Sequence, residues 1–146
     1  MNTRRRKGFT LIELLLVLMI LAALSAMVVP KFTNRSKEAK ITAAKADIST
    51  IEAAIDAFEI DTGRYPTSNE GLRALVTEPS NLRENEWKGP YWKRGVPKDP
   101  WQNEYVYKYP GQYNEYGYDL YSLGPDGLQG TEDDIKNWTE DQYNRQ

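Results

Sequence analysis

The chain has 146 residues, of which 27% are charged and 40% hydrophobic, and it contains neither cysteine nor histidine. These absences exclude a disulfide framework, zinc sites built from cysteine or histidine, and a histidine-dependent catalytic triad. The net charge is −2, but Met1–Gly8 holds four of the 19 basic residues and no acid, leaving 15 basic against 21 acidic residues, a net of −6. Nucleic-acid binding is not expected, since nothing after Gly8 forms a basic face.

An apolar segment follows this basic start. Residues 9–29 are 21 residues with one charge, Glu13, and as an α-helix they would extend over about 32 Å, enough to cross a bilayer. A carboxylate inside a membrane span costs about 2.5 to 3.5 kcal/mol, so Glu13 needs a partner. Cleavage between Gly8 and Phe9 would create a positive α-amino group one helical turn before Glu13. The basic cluster of residues 4–7 predicts that this end stays in the cytoplasm.

Two other interpretations of the N-terminal segment remain open. It could be an ordinary secretory signal cut near Ser25 or Ala26, although such signals have a shorter apolar core of about 7 to 15 residues. A plain membrane anchor would explain the length of the segment, but not the Gly8-Phe9 pair or the charge of Glu13.

A long helix is predicted to continue beyond this segment. Pro30 predicts a bend or local break near residues 26–30. Apolar residues then recur at alternating spacings of three and four, as on one face of an amphipathic helix; they are Ile41, Ala44, Ile48, Ile51, Ile55 and Phe58. Gly63 predicts the C-terminal cap. One helix from residue 9 to about residue 61 is therefore expected, with its first half in lipid and its second half packed on a domain.

The segment after the helix is predicted to be mostly loop. Thr67 and Glu70 have the spacing of a capping box, with Thr67 as N-cap, before a short helix through Leu72, Leu75 and Val76. Residues 78–100 lack periodicity and indicate an ordered loop. Its aromatic residues are interpreted as covering the core, with carbohydrate binding as the alternative; they are Trp87, Tyr91 and Trp92.

The remaining chain predicts a small antiparallel sheet. Residues 105–109 and 118–123 are rich in aromatic and aliphatic side chains and are separated by turn residues, which is typical of a hairpin. A third short strand is predicted near residues 135–138.

Between these strands lies an acidic loop, residues 122–134. Its three glycines allow tight turns, so that Asp126, Asp133 and Asp134 can converge. Close carboxylates repel one another unless a cation lies between them, and Ca²⁺ accepts 6 to 8 oxygen ligands in irregular geometry. A solvated acidic turn without an ion is the alternative.

The segment Lys7-Gly8-Phe9-Thr10-Leu11-Ile12-Glu13 resembles the class III signal of type IV pilins and their relatives. The resemblance implies that a prepilin peptidase cleaves between Gly8 and Phe9 and methylates the new terminus at Phe9. It also implies that Glu13 directs the packing of subunits.

Further motifs are similar to those of the major pseudopilins of type II secretion systems, from Gly8 to Trp138. They are Val96-Pro97-Lys98-Asp99-Pro100-Trp101, Ser122-Leu123-Gly124 with Asp126-Gly127, and Asp134-Ile135 with Asn137-Trp138. The resemblance implies an α+β, pilin-like fold with one long N-terminal helix, an αβ loop with a short helix, a small antiparallel sheet and a C-terminal loop stapled by calcium.

The resemblance also implies which residues bind calcium. Its side-chain ligands would be Asp126, Asp133 and Asp134, with carbonyl oxygens from Leu123 and from near Gln129. This chain departs from the family in two places. Many relatives have glycine where this chain has Gln102, and their loop before the final aspartates is longer and richer in glycine.

The expected protein is a structural subunit of a periplasmic pseudopilus. Residues 1–8 would be the cleaved leader, residues 9–29 the transmembrane and filament-core helix, and residues 30–146 the periplasmic domain. Expected partners are further copies of the chain in a helical filament, the inner membrane, the prepilin peptidase, minor pseudopilins and the inner-membrane assembly platform. The alternatives are a type IV or competence pilin, which would form surface fibres, and a membrane-tethered periplasmic binding module. No recognisable motif sets a base or nucleophile beside the acids, so an enzyme is not expected.

Overall fold

A computed structural model of the chain describes residues 8–139, and within this range it describes the backbone but not the side chains of residues 26–34. The chain divides into two compact units, Met1–Glu38 and Ala39–Gln146. The predicted basic cluster, residues 4–7, lies outside the described residues. The elements, in chain order, are helix α1 (Leu11–Thr62), a 3₁₀ helix (Gly71–Leu75), and strands β1 (Val106–Lys108), β2 (Asp119–Ser122) and β3 (Ile135–Lys136).

Helix α1 confirms the predicted long helix to within two residues at each end. It ends as expected at Gly63, which has a φ of +72° and donates its N–H to the carbonyl of Glu59 at 2.7 Å. Glycine adopts this left-handed conformation without steric cost, and it is the usual residue just past a helix end. The helix assignment continues through Pro30, so the local break predicted near residues 26–30 is not formed. A proline removes only one backbone hydrogen bond, which a long helix tolerates; the bend stays a prediction.

The predicted apolar stripe of α1 forms the core of the second unit. Ile51, Ile55 and Phe58 are completely buried, and Ile41 is partly buried at the margin. The residues of the sheet and 3₁₀ helix that share this core include Leu72, Leu75, Tyr107, Leu120 and Ile135. The α1 stripe thus packs where the periodicity predicts.

The sheet has the order β1-β2-β3, and both strand pairs are antiparallel. The predicted hairpin and the third strand are therefore confirmed. Tyr107 lies opposite Leu120, and these residues face the core cluster, whereas Tyr121 is paired with Val106 and Lys136 on the opposite face. Every residue of β2 is buried, so both faces of the central strand are covered.

The segment between α1 and the 3₁₀ helix contains the reciprocal bonds of the predicted capping box, but the N-cap of the 3₁₀ helix is Glu70 and not the predicted Thr67. Glu70 Oε2 accepts the N–H of Thr67 at 2.7 Å, and Thr67 Oγ1 accepts the N–H of Glu70 at 3.3 Å. The following helix is 3₁₀ and ends at Leu75, so its predicted extension through Val76 is wrong by one residue. The carbonyl of Leu75 instead accepts N–H groups from the loop at Tyr91 and Trp92, which directs the chain away from a further helical turn.

The aromatic residues of the loop cover the core, as predicted. Trp87, Tyr91 and Trp92 are half-buried and pack against the core cluster. The indole of Trp87 donates to the carbonyl of Ala74 at 3.1 Å, and the hydroxyl of Tyr91 donates to Asp61 at 2.8 Å.

A bidentate ion pair fixes the capping box to the end of α1. The Arg64 guanidinium donates to both carboxylate oxygens of Glu70, at 2.8 Å each. Together with the N–H and hydroxyl of Thr67, Arg64 lowers the pKa of Glu70 to about 2, and the Arg64 hydrogen bonds are the largest cause.

This ion pair predicts acid sensitivity. Because the folded state lowers the pKa of Glu70, its ionised form contributes stability above the unfolded pKa of about 4.3, and this contribution is lost as the pH falls through 2. Glu70→Gln keeps an acceptor for Thr67 but loses the charge, and it should cost about 2 kcal/mol at pH 7 after allowance for solvent screening. Measured by urea unfolding, the free energy of unfolding of Glu70→Gln should fall less steeply between pH 7 and pH 2.5 than that of wild type. Glu84→Gln, an exposed acid in the next loop, is the control; equal slopes in all three proteins would contradict the assignment.

Candidate functional sites at the N-terminus and in the acidic loop

The start of α1 holds Glu13 in a second capping box. The Glu13 carboxylate accepts the N–H of Thr10 at 3.4 Å, and the Thr10 hydroxyl accepts the N–H of Glu13 at 3.3 Å. Gly8 and Phe9 precede the helix and are exposed. Sequence analysis missed the role of Thr10, although Thr-x-x-Glu before an apolar run is the signature of a capping box. Glu13 therefore has a local partner, since it satisfies a free N–H at the start of its own helix.

The first part of α1 exposes a continuous apolar surface. The large apolar side chains from Phe9 to Leu24 are exposed, with values from 47% at Val17 to 79% at Leu11. A surface of this size on a soluble monomer is unusual and marks a site that other molecules cover. Within residues 8–139, no helix combines the length and the apolarity needed to cross a membrane. The transmembrane span over residues 9–29 thus stays a prediction.

The acidic loop turns at three glycines in the left-handed region. Gly124, Gly127 and Gly130 have φ values of +64°, +68° and +87°. At Gly124 a Cβ atom would lie 2.4 Å from the carbonyl oxygen of Asp133, so a side chain cannot fit there. This close approach brings the beginning and the end of the loop together.

Two of the predicted ligands, Asp126 and Asp133, lie next to each other at this closure. The N–H of Asp126 donates to Asp133 Oδ2 at 3.3 Å, and Asp126 Oδ1 accepts the N–H of Leu128 at 2.8 Å. The hydroxyl of Thr131 donates to Asp133 Oδ1 at 2.7 Å and lowers the pKa of Asp133. Both carboxylates are therefore held by donors of the loop itself.

The third predicted ligand, Asp134, is only partly satisfied. Its Oδ2 accepts the N–H of Gly130 at 2.8 Å, whereas its Oδ1 is buried and has no hydrogen-bond partner among the described residues. A buried carboxylate oxygen without a donor is costly, and a cation or a water molecule would satisfy it.

Hard oxygen donors and glycine turns fit Ca²⁺ in kind. Of the predicted carbonyl donors, Leu123 is half-buried beside Gly124, and Gln129 is exposed. As they stand, however, no three acidic side chains of the described residues are arranged to hold a metal ion together. Calcium binding by Asp126, Asp133 and Asp134 stays a prediction.

A buried carboxylate that sequence analysis did not assign anchors the start of the loop. Asp99 is 1% exposed and accepts the N–H groups of Trp101 at 3.0 Å and of Asn103 at 2.8 Å. It also accepts the hydroxyl of Ser122 at 2.6 Å, and Ser122 Oγ in turn accepts the N–H of Gly124 at 3.1 Å. The Lys-Asp-Pro-Trp motif therefore holds the acidic loop at its first glycine. The signal was an aspartate two residues before the backbone N–H that donates to it, the pattern of an Asx-turn.

A second such carboxylate, Asp119, closes the hairpin between β1 and β2. It is also 1% exposed, and it accepts the N–H groups of Gln112, Tyr113 and Asn114 at distances between 2.6 and 3.2 Å. Neither aspartate is free to serve a ligand, because backbone donors already surround both.

One long N-terminal helix whose second half packs on a small antiparallel sheet defines a pilin-like protein. The crystal structure of the major pseudopilin from the type 2 secretion system of enterohaemorrhagic Escherichia coli has a similar fold, with a TM-score of 0.63 and 38% identity, over 76% of this chain and 96% of that chain. The model of the type II secretion system protein G family matches residues 31–138, and that of the prokaryotic N-terminal methylation motif matches residues 3–29. The chain belongs to the type II secretion system protein G family.

Relatives match over nearly their whole length. The type II secretion system core protein G of Pseudomonas aeruginosa is 44% identical over 142 residues, which cover 94% of this chain and 99% of the relative. The protein of the same description from Escherichia coli (strain K12) is 44% identical over 138 residues, 93% of each chain. The family resemblance predicted from the motifs is confirmed.

The backbone conformation of Gln102 carries a structural cost. Gln102 has a φ of +74°, in the left-handed region, and its side chain is exposed. This conformation costs a residue with a Cβ atom about 1–2 kcal/mol, whereas glycine adopts it without that cost. Gln102→Gly should therefore stabilise the protein by about 0.5 to 1 kcal/mol after the greater entropy of unfolded glycine is subtracted.

Thermal and urea unfolding would measure this gain. The matched control is Gln112→Gly, an exposed glutamine that is not among the residues with positive φ, which should destabilise. A loss of stability in Gln102→Gly as large as in the control would contradict the argument.

Proposed function

We propose that this chain is the major structural subunit of the periplasmic pseudopilus of a type II protein secretion system. The observation that carries the proposal is the combined match to the protein G family and to the N-terminal methylation motif. The exposed apolar surface of α1 supports it, because that surface must be covered by lipid or by other subunits.

Processing would prepare the chain for assembly. The prepilin peptidase would cleave between Gly8 and Phe9 and methylate Phe9, which removes the leader, residues 1–8. Both residues are exposed and precede the first helical turn, as a protease requires of its substrate backbone. Residues 9–29 would then lie in the inner membrane, with the N-terminus cytoplasmic, and residues 30–146 would form the periplasmic domain.

Assembly would move the apolar helix from lipid into an equally apolar filament core. Apolar burial therefore does not distinguish the two states, and the charge of Glu13 would supply specificity by pairing with the new α-amino group of its own or a neighbouring subunit. The capping bond that the Glu13 carboxylate accepts from the Thr10 N–H is weak, at 3.4 Å, and leaves the carboxylate able to accept this stronger partner. Heterologous contacts between copies would generate an open helical filament.

The other components would act at the two ends of this process. The inner-membrane assembly platform would extract subunits from the membrane, and minor pseudopilins would begin the filament. The growing pseudopilus would drive folded exoproteins toward the outer-membrane channel.

Calcium would complete the acidic loop. Asp126, Asp133 and Asp134 would supply side-chain oxygens, and Leu123 and Gln129 carbonyl oxygens. When bound, the ion would neutralise the repulsion among three carboxylates. In this chain the Asp99–Ser122–Gly124 connection would hold one end of the loop while Asp134 holds the other end beside β3.

Replacing the lone carboxylate of the apolar helix tests assembly. Glu13→Leu keeps the helix apolar and removes the charge, so subunits should insert normally but form at least ten-fold less polymer. Chemical crosslinking in the host, read as a ladder of multimers, measures polymer, and exoprotein in the medium measures secretion. Glu78→Leu, an exposed acid of the periplasmic domain, should retain both. Wild-type ladders from Glu13→Leu would refute the assigned role.

Removal of calcium tests the metal proposal. Thermal unfolding of the full chain in detergent should occur several degrees lower in chelator than in 1 mM calcium, since a ligand at 100 times its dissociation constant adds about 2.7 kcal/mol. Asp126→Asn should abolish most of this difference and lower secretion. Glu132→Gln, an exposed acid of the same loop outside the proposed ligand set, is the control and should respond like wild type. Equal melting temperatures of wild type with calcium and with chelator would remove the calcium proposal.

A further inference from the structure

The outer face of the sheet buries a tyrosine outside the main core. Tyr121 is 3% exposed although its β2 position points away from the α1 stripe. The edge of its ring meets Trp138 at a centroid distance of 5.6 Å and an angle of 84°. Trp138, after β3, therefore covers Tyr121, and residues of the acidic loop lie across a cavity beside it.

A small cavity of about 30 Å³ lies between Tyr121 and the loop. Gln129, Gly130 and Asp134 line it from the loop, and Lys108 and Lys136 line it from the neighbouring strands. Two polar atoms of its lining residues, the Tyr121 hydroxyl and Asp134 Oδ1, are buried without a hydrogen-bond partner among the described residues.

These two atoms are complementary in chemistry. The hydroxyl of Tyr121 can donate a hydrogen bond, and a carboxylate oxygen can only accept one. They do not bond each other directly, yet their residues line the same cavity. A buried polar atom without a partner is rare in folded proteins, and two beside one cavity indicate a bound molecule between them.

We infer that one water molecule in this cavity accepts a hydrogen bond from the Tyr121 hydroxyl and donates one to Asp134 Oδ1, so that Tyr121 positions the Asp134 carboxylate. The cavity of about 30 Å³ has room for a water molecule, which needs about 10–15 Å³, and a buried water needs two to four polar partners. Two lysines and two aspartates, Asp119 and Asp134, line the cavity, so the charges of its lining balance and a neutral water molecule suits it.

The inference gives Tyr121 a role in calcium binding, and in that respect it rests on the proposed calcium site. The N–H of Gly130 already holds Asp134 Oδ2 at 2.8 Å. With the water on Oδ1, both oxygens of Asp134 would be oriented before the ion arrives. Partners that orient a metal ligand typically change metal affinity by 10- to 100-fold when they are removed.

The test is a double-mutant cycle in the full-length chain in detergent. Tyr121→Phe, Asp134→Asn and the double variant are compared with wild type for calcium affinity, by competition with terbium luminescence, and for melting temperature in chelator. Tyr121→Phe should weaken calcium binding about ten-fold. In chelator, the melting-temperature losses of the two single variants should not add in the double variant, because each removes the same water-mediated link. A tyrosine that only fills space would show additive losses.

Tyr109→Phe is the matched control, since Tyr109 is a half-buried tyrosine packed on the core, remote in sequence from the loop. It should leave calcium affinity unchanged. Additive melting losses, or wild-type calcium affinity in Tyr121→Phe, would overturn the inference and leave the calcium site standing. If wild type binds no calcium, the calcium proposal fails, and with it the positioning of Asp134 for metal, whereas non-additive losses in chelator would still support the water-mediated link.

Discussion

The packing of one stripe of α1 on the sheet is the interaction on which the second unit depends. Strands of 3, 4 and 2 residues are too short to be stable alone. Ile51, Ile55 and Phe58 are completely buried against them and against the 3₁₀ helix, and each contributes about 1.5 to 3 kcal/mol. The same helix begins with the apolar surface that supports the proposed membrane and filament roles. One element thus carries both the stability of the domain and its means of assembly.

Polar contacts take the place of disulfides in the rest of the domain. The buried carboxylate of Asp99 accepts two backbone N–H groups, and that of Asp119 accepts three. Asn137 joins three parts of the chain, because its amide accepts the N–H of Leu120 in β2 and donates to Glu52 on α1. Hydrogen bonds to charged groups contribute about 1.5 to 3 kcal/mol each, so a few such centres hold long loops without covalent links.

Elements that follow a regular spacing of apolar or capping residues were predictable from the sequence. The stripe of α1, the cap at Gly63, the Thr67–Glu70 box and the three strands follow local rules of spacing, and the structure contains them. Side-chain contacts between distant segments were not predictable. Asp99 meets Ser122 across 23 positions, and nothing near Asp99 indicates this partner.

Prediction from the sequence had the same limit at the candidate site in the acidic loop. Its glycines and aspartates were recognised, and the structure brings Asp126 beside Asp133. The cavity between Asp134 and Tyr121 depends on a strand pairing that the loop sequence does not contain. At Glu13 a local capping signal with Thr10 was overlooked, and the pairing of its carboxylate with the α-amino group of Phe9 stays a prediction.

The proposed function requires a chain that loses its leader and then polymerises through its apolar helix. Its most direct test is the intact mass of the protein extracted from the membranes of its host. We expect a chain that begins at Phe9 and carries one additional methyl group. A chain that still begins at Met1, or one that has lost the whole apolar segment by cleavage near Ser25, would contradict the account.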